Sequence, residues 1–234
     1  MQSYEEAEVA SPSWPDQVLV EARSANPAFD AYFDAVVSDL EPLIRWFKDG
    51  CDFDATRLEL LQHFPDGPVQ GVKEDIVEDV LRLMSTFEAT TLSGAFKLQL
   101  EIVNHDMCCL FHQDYYRQRL ICTLKGPGTE WLDHDNVNRA ALGKGDNDAI
   151  VKDMDKVHRA NTHDVLLLKG AKYGGGATSV INRSPPIAHQ KGLRVLLKLD
   201  EQRAWKASLC SHAEQAMKRK RMEVATWRTN KLWS

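Results

Sequence analysis

The chain has 234 residues, a net charge of −5, 43% hydrophobic and 27% charged residues, the profile of a water-exposed globular protein with a sizeable core. No apolar run approaches the roughly 18 residues of a membrane span, and the acidic N-terminus lacks the apolar stretch of a secretory signal, so a cytoplasmic address is expected. Five cysteines with no C-x-x-C pair exclude a disulfide framework or thiolate zinc site, and Cys108 and Cys109 read as small buried residues.

Charge is uneven. Residues 1–60 carry 13 acidic and 4 basic side chains, and residues 201–234 carry 3 acidic and 8 basic. An acidic total argues against nucleic-acid binding. The "KRKR" at 218–221 reads as a solvated helix end.

Residues 1–14 read as a disordered segment and 15–234 as one domain. Its first part, 15–92, is predicted helical. Phe29, Tyr32, Phe33, Val36, Val37, Leu40, Leu43, Ile44 and Phe47 recur at three and four and predict one helix, with Pro27 in its first turn and Gly50 at its stop. A short helix follows over 55–63. "FPDGPVQG" is a turn, and 72–87 is a second amphipathic helix. After Gly94 the period changes to two: "FKLQLEIV", "RLICTLKG", "DVLLLKG" and "LRVLLKLD" predict strands of a β core over 93–200. Residues 201–234 read as a closing helix and basic tail.

Within that core, His112 and Asp114 stand two apart. On a strand they share a face, where imidazole and carboxylate can hold one cation. They supply two thirds of the two-His-one-carboxylate set that suits non-haem Fe(II). An oxygenase using 2-oxoglutarate also needs a cation for the co-substrate's far carboxylate, and Arg194 near the end of the β region fits that need. Twelve residues before it stands Asn182. Further candidates are Arg119 as an anion clamp, and Glu130, Trp131 and Thr123 as pocket lining. Arg183 should point away from Asn182's face. His163 is an outside candidate for the metal, and His105, His134 and His158 read as solvated.

"FHQD", "RLICTLKGPGTEWL", "NRAAL", "LLLKG", "NRSPP" and "LRVLLKLD", in this order, resemble the family catalogued as domain of unknown function 1826. Some bacterial members resemble accessory proteins encoded among zinc-starvation genes, which implies metal homeostasis and Zn(II). The pattern is also similar to the double-stranded β-helix of the iron and 2-oxoglutarate oxygenases. The resemblance implies His112 and Asp114 as metal ligands and Arg194 as the co-substrate anchor. It also implies His in "HRSPP" where this chain has Asn182. Three readings of that departure stay open: Asn182 is a weak or water-bridged third ligand, His189 replaces it, or the metal is lost. The fold expected is therefore α+β, an antiparallel double-stranded β-helix (jelly-roll-like) flanked by N- and C-terminal helices. The function expected is an Fe(II)/2-oxoglutarate-type oxygenase acting on a small-molecule or protein substrate. The rival is a non-catalytic, degenerate barrel serving as metal-handling accessory or protein-binding scaffold.

Overall fold

The computed structural model describes residues 17–173, 179–188 and 192–202. The expected disordered N-terminal segment, the closing helix and His189 lie outside them. The described chain is α+β, with two antiparallel sheets and four helices.

The N-terminal part follows its local signals. Helix α1 spans Pro27–Val36: the Asn26 side chain accepts from the Ala28 amide at 3.1 Å, and Pro27 occupies the first turn. The predicted helix through Phe47 is not there. Residues Leu43–Phe47 form strand β2, paired along its length with β3 (Phe96–Val103). Pro42 is the reason, since proline lacks the amide a helix needs and drives the preceding residue out of helical geometry. The same residues that extend a helical stripe then lie along a sheet edge, where Ile44 and Trp46 are exposed. Gly50, expected as a helix stop, instead holds a left-handed φ of 98° in the loop after β2. Helix α2 (Phe53–His63) begins at an Asp52 cap, and α3 (Val72–Thr91) runs longer than the pattern suggested. Another strand, β1 (Val18–Glu21), precedes α1, so the first 92 residues are not wholly helical.

The four predicted strands are present as β3, β5 (Gln118–Lys125), β8 (Val165–Lys169) and β10 (Arg194–Glu201). Four short strands lie between them: β4 (His112–Gln113), β6 (Glu130–Leu132), β7 (His158–Arg159) and β9 (Ile181–Arg183). The long strands join β1 and β2 in one six-stranded sheet, ordered β1-β8-β5-β10-β3-β2. The short ones make a four-stranded sheet, ordered β4-β9-β6-β7. Successive strands from β3 to β10 thus alternate between the sheets, except at the β6–β7 pair. A fourth helix, α4 (Asn147–Ile150), lies in the long β6–β7 connection.

Alternation along the long strands builds two cores. Leu98, Leu100, Leu120, Cys122, Val165, Leu167, Val195 and Leu197 pack against Phe33, Val77, Met84 and Phe87 of α1 and α3. The intervening residues Val103, Ile121, Leu166, Leu168 and Leu196 face the other way and pack with Trp131 of the four-stranded sheet. A third cluster, around Phe111, Leu132, Val137, Ile150 and Ile181, covers the outer side of that sheet. Among the described residues no helix is long and apolar enough to cross a membrane.

Two other expectations fail. Cys108 is exposed and Cys109 half-buried, because the β3–β4 loop bulges outward with Cys108 at φ 54°. His163 serves the helical core: its Nδ1 accepts from the Asn26 amide at 3.1 Å, and its ring meets Phe29 edge-on.

Candidate functional site

The short sheet places the site. His112 is paired with Asn182, Asn182 with Trp131, and Trp131 with His158. Directly opposed residues on antiparallel strands share a face. Trp131 packs into the cluster between the sheets, so His112 and Asn182 face inward with it. Neighbouring strands lie about 4.8 Å apart, so these three positions span roughly 10 Å.

Asp114 follows β4 and closes the group. His112 Nε2 lies 3.6 Å from Asp114 Oδ1. Arg119 Nη1 donates to the same oxygen at 3.2 Å. The other carboxylate oxygen accepts from Asn182 Nδ2 at 2.8 Å and from the Tyr116 hydroxyl at 3.0 Å. Burial opposes ionisation here, but the adjacent His112, the charge on Arg119 and the hydrogen bond from Asn182 outweigh it. The Asp114 carboxyl is held well below the usual range. In return the neighbouring Asp114 carboxylate raises the His112 pKa, against the pull of burial. His112 Nδ1 faces the Leu110 carbonyl oxygen at 2.8 Å, which leaves Nε2 turned toward the carboxylate.

Arg194 sits on the inner face of β10 and is fully buried. Its Nε donates to the Pro127 carbonyl at 2.7 Å and its Nη2 to Thr129 Oγ1 at 3.3 Å. Its Nη1 has no partner among the described residues. Desolvation pulls its pKa down to about 10. A buried guanidinium with an unpaired nitrogen and no carboxylate bonded to it is a costly arrangement that an anion would relieve. The glycine-rich turn brings its partners close. Gly126 adopts φ 86°, a left-handed value that favours glycine. A Cβ on Gly128 would stand 2.1 Å from the Ala160 carbonyl oxygen.

The remaining candidates divide. Thr123 is buried and opposes Leu196 on the inner face. Trp131 faces inward and stacks on His158 at 5.2 Å, and His158 Nε2 lies 2.7 Å from Asp133 Oδ2, so His158 is paired rather than merely solvated. Glu130 does not join the pocket. It follows the strand alternation to the opposite face, where Arg159 Nε (2.8 Å) and Arg183 Nε (2.6 Å) bind its carboxylate. Arg183 takes the outward direction expected of it, over the Phe111 ring. Arg119 is engaged by Asp200 through Nε and Nη2 as well as by Asp114, so its donors serve carboxylates of the protein and not an outside anion. Thr129 and Tyr116 are the residues that sequence reasoning missed. Thr129 carried a signal, two places before Trp131 and so on its face.

The donors fit a metal in part. His112 and Asp114 converge, with Asn182 as a neutral third. Among the described residues no three His, Cys, Asp or Glu side chains gather in one place. The unpaired Nη1 of Arg194 has the charge and donor chemistry that a carboxylate would meet.

Three solved structures are similar to the chain at low identity. The Fe(II)/α-ketoglutarate-dependent dioxygenase TqaL has 11% identity over 80% of this chain and 82% of its own, with a TM-score of 0.41. EvdO2 from Micromonospora carbonacea var. aurantiaca has 8% identity over 80% and 95%, with a TM-score of 0.33. A full-length Neurospora crassa protein, in complex with α-ketoglutarate, has 11% identity over 95% and 72%, with a TM-score of 0.36. No curated protein matches the sequence. The family described as protein of unknown function (DUF1826) matches residues 15–200, and the chain belongs to it.

Proposed function

We propose that this protein is an Fe(II)/2-oxoglutarate-type oxygenase built on a double-stranded β-helix. The alternation of β3 to β10 between two sheets supports the fold. The observation that carries the function is Arg194, buried, cationic and left with an unpaired Nη1 on the inner face. That nitrogen suits the distal carboxylate of 2-oxoglutarate, with Thr129 as a second anchor. His112 and Asp114 would hold the metal, with the Asn182 carboxamide completing three positions. When bound, the iron supplies the activation of oxygen. The protein's own groups keep Asp114 ionised and aim His112 Nε2 at it, and Trp131, Ile121 and Leu168 pack together between the sheets.

One observation favours a non-catalytic reading instead. Asn182 turns its Nδ2 to Asp114, and Arg119 already occupies the oxygen nearest His112. A barrel of this kind would handle metal, Zn(II) included, or serve as a scaffold without chemistry. Calorimetric titration of the purified apo-protein with Fe(II) and Zn(II) under argon, with and without 2-oxoglutarate, separates the readings. Fe(II) binding tightened by 2-oxoglutarate and lost in His112→Ala is the expected result. Zinc binding indifferent to 2-oxoglutarate would leave the metal-handling reading, and no binding of either ion would leave the scaffold.

A further inference from the structure

The row of charges behind Asp114 has a role of its own. Asp114 Oδ1 is the oxygen facing His112, and so the one an ion shared with His112 would take. Arg119 Nη1 reaches that oxygen at 3.2 Å. Arg119 cannot swing aside easily. Its Nη2 donates to Asp200 Oδ2 at 2.8 Å, its Nε binds the other oxygen of the same carboxylate, and its guanidinium stacks 4.0 Å from the Tyr116 ring centre. The β5–β10 register puts Arg119 directly opposite Asp200, and the β10–β3 register puts Lys97 on the far side of Asp200. Lys97 Nζ lies 3.3 Å from that carboxylate. Charges therefore alternate outward from the site as Asp114, Arg119, Asp200 and Lys97. All four rest on the inner face, where Arg119 and Asp200 are nearly excluded from solvent.

We infer that Arg119 sets the cation affinity of the His112–Asp114 position, with Asp200 setting how strongly Arg119 acts. The inference rests on the metal reading above. A guanidinium sharing an oxygen with a divalent ion repels it, and the repulsion is weakly screened away from water. Asp200, behind the guanidinium, offsets part of it. The two residues then have opposite effects. Removing the cation at Arg119 tightens ion binding. Removing the anion at Asp200 leaves the cation less compensated and weakens it. A merely structural role would have one sign, because losing either partner of a buried ion pair loosens the same strands.

The test uses the full chain, purified without metal and titrated calorimetrically with Fe(II) and Zn(II) under argon. Arg119→Gln is expected to tighten both ions at least tenfold, Asp200→Asn to weaken both at least tenfold, and Arg119→Lys to stay within a few-fold of the native protein. Binding by Arg119→Gln where the native protein shows none would also bear the inference out. Shifts of the same sign in Arg119→Gln and Asp200→Asn, or no shift in either, would overturn it while leaving the metal reading standing. No ion binding by the native protein or any variant would overturn both. Should Arg119→Gln fail to fold, Asp200→Asn decides alone, since unchanged or tighter binding there contradicts the role.

Discussion

Replacing Arg194 with Met tests whether the guanidinium is kept for the fold or for a ligand. The side chain is fully buried, and desolvation pulls its pKa down from the ordinary guanidinium value to about 10. At about 1.4 kcal/mol per tenfold, the charged form costs about 3 kcal/mol more in place than in water. Two hydrogen bonds tie it in place, to the Pro127 carbonyl and Thr129 Oγ1, each worth roughly 1 kcal/mol. Met fills a similar volume and removes the desolvation cost, but leaves those two acceptors without their donor. The terms nearly cancel, so Arg194→Met is expected to lie within about 1 kcal/mol of the native protein, a shift in Tm of about 2–4 °C. Ligand response should change far more. At a concentration one hundred times its Kd, 2-oxoglutarate stabilises a binding protein by about 2.7 kcal/mol, and Arg194→Met should lose that gain. Thermal melts with Fe(II) present, with and without 2-oxoglutarate, read both quantities. A loss of about 3–5 kcal/mol in the variant is the mark of a broken buried ion pair. Found together with an unchanged 2-oxoglutarate response, it would refute the argument that the guanidinium awaits an anion.

Four further outcomes are expected. Asn182→His puts an imidazole opposite His112 and should tighten Fe(II) at least tenfold in an anaerobic titration; unchanged affinity would take position 182 out of the coordination sphere. Zn(II) affinity should rise with pH and level off only above the raised pKa of His112, because Asp114 holds the proton on the ring and the ion must displace it. That pair also contributes to stability in two windows. The His112 part is present in full below about pH 6.5 and lost as pH rises through its raised pKa. The Asp114 part is present above about pH 4 and lost as pH falls through its lowered one. Titrations and melts across pH 3–9 check both, and a flat affinity profile would contradict the assignment. Gly128→Ala drives a Cβ to 2.1 Å from the Ala160 carbonyl oxygen and should cost about 3 kcal/mol, read as a fall in Tm with the glycine-rich turn displaced.

The long strands were legible because eight residues of alternation or a continuous apolar run carry a clear period, as in Phe96–Val103 and Arg194–Glu201. Strands of two or three residues carry no period at all, and all four strands of the facing sheet are that short. Leu43, Ile44 and Phe47 misled because their spacing continues a helical stripe; Pro42 held the opposing signal. At the site, His112 and Asp114 could be paired by spacing alone. Glu130 and Trp131 could not both line one pocket, since adjacent strand residues face opposite ways. The role of Thr129 depends on a turn that folds it onto Arg194, 65 residues away in sequence, and the occupation of Arg119 depends on Asp200, 81 residues away.

Position 182 decides between the catalytic and non-catalytic readings more sharply than its residue type suggests. The pairing of β4, β9 and β6 fixes it between His112 and Trp131. Any ion held by His112 and Asp114 therefore has the side chain at 182 as its next neighbour, whatever that side chain offers. A carboxamide brings two groups to this place. Its Nδ2 holds Asp114 Oδ2 at 2.8 Å, while its Oδ1 is an acceptor able to meet a cation. The same residue can thus orient the one anionic ligand and stand as the weak third. In that arrangement the ion is bound chiefly by one imidazole and one carboxylate. Small electrostatic changes such as those at Arg119 and Asp200 then weigh heavily in whether it binds at all.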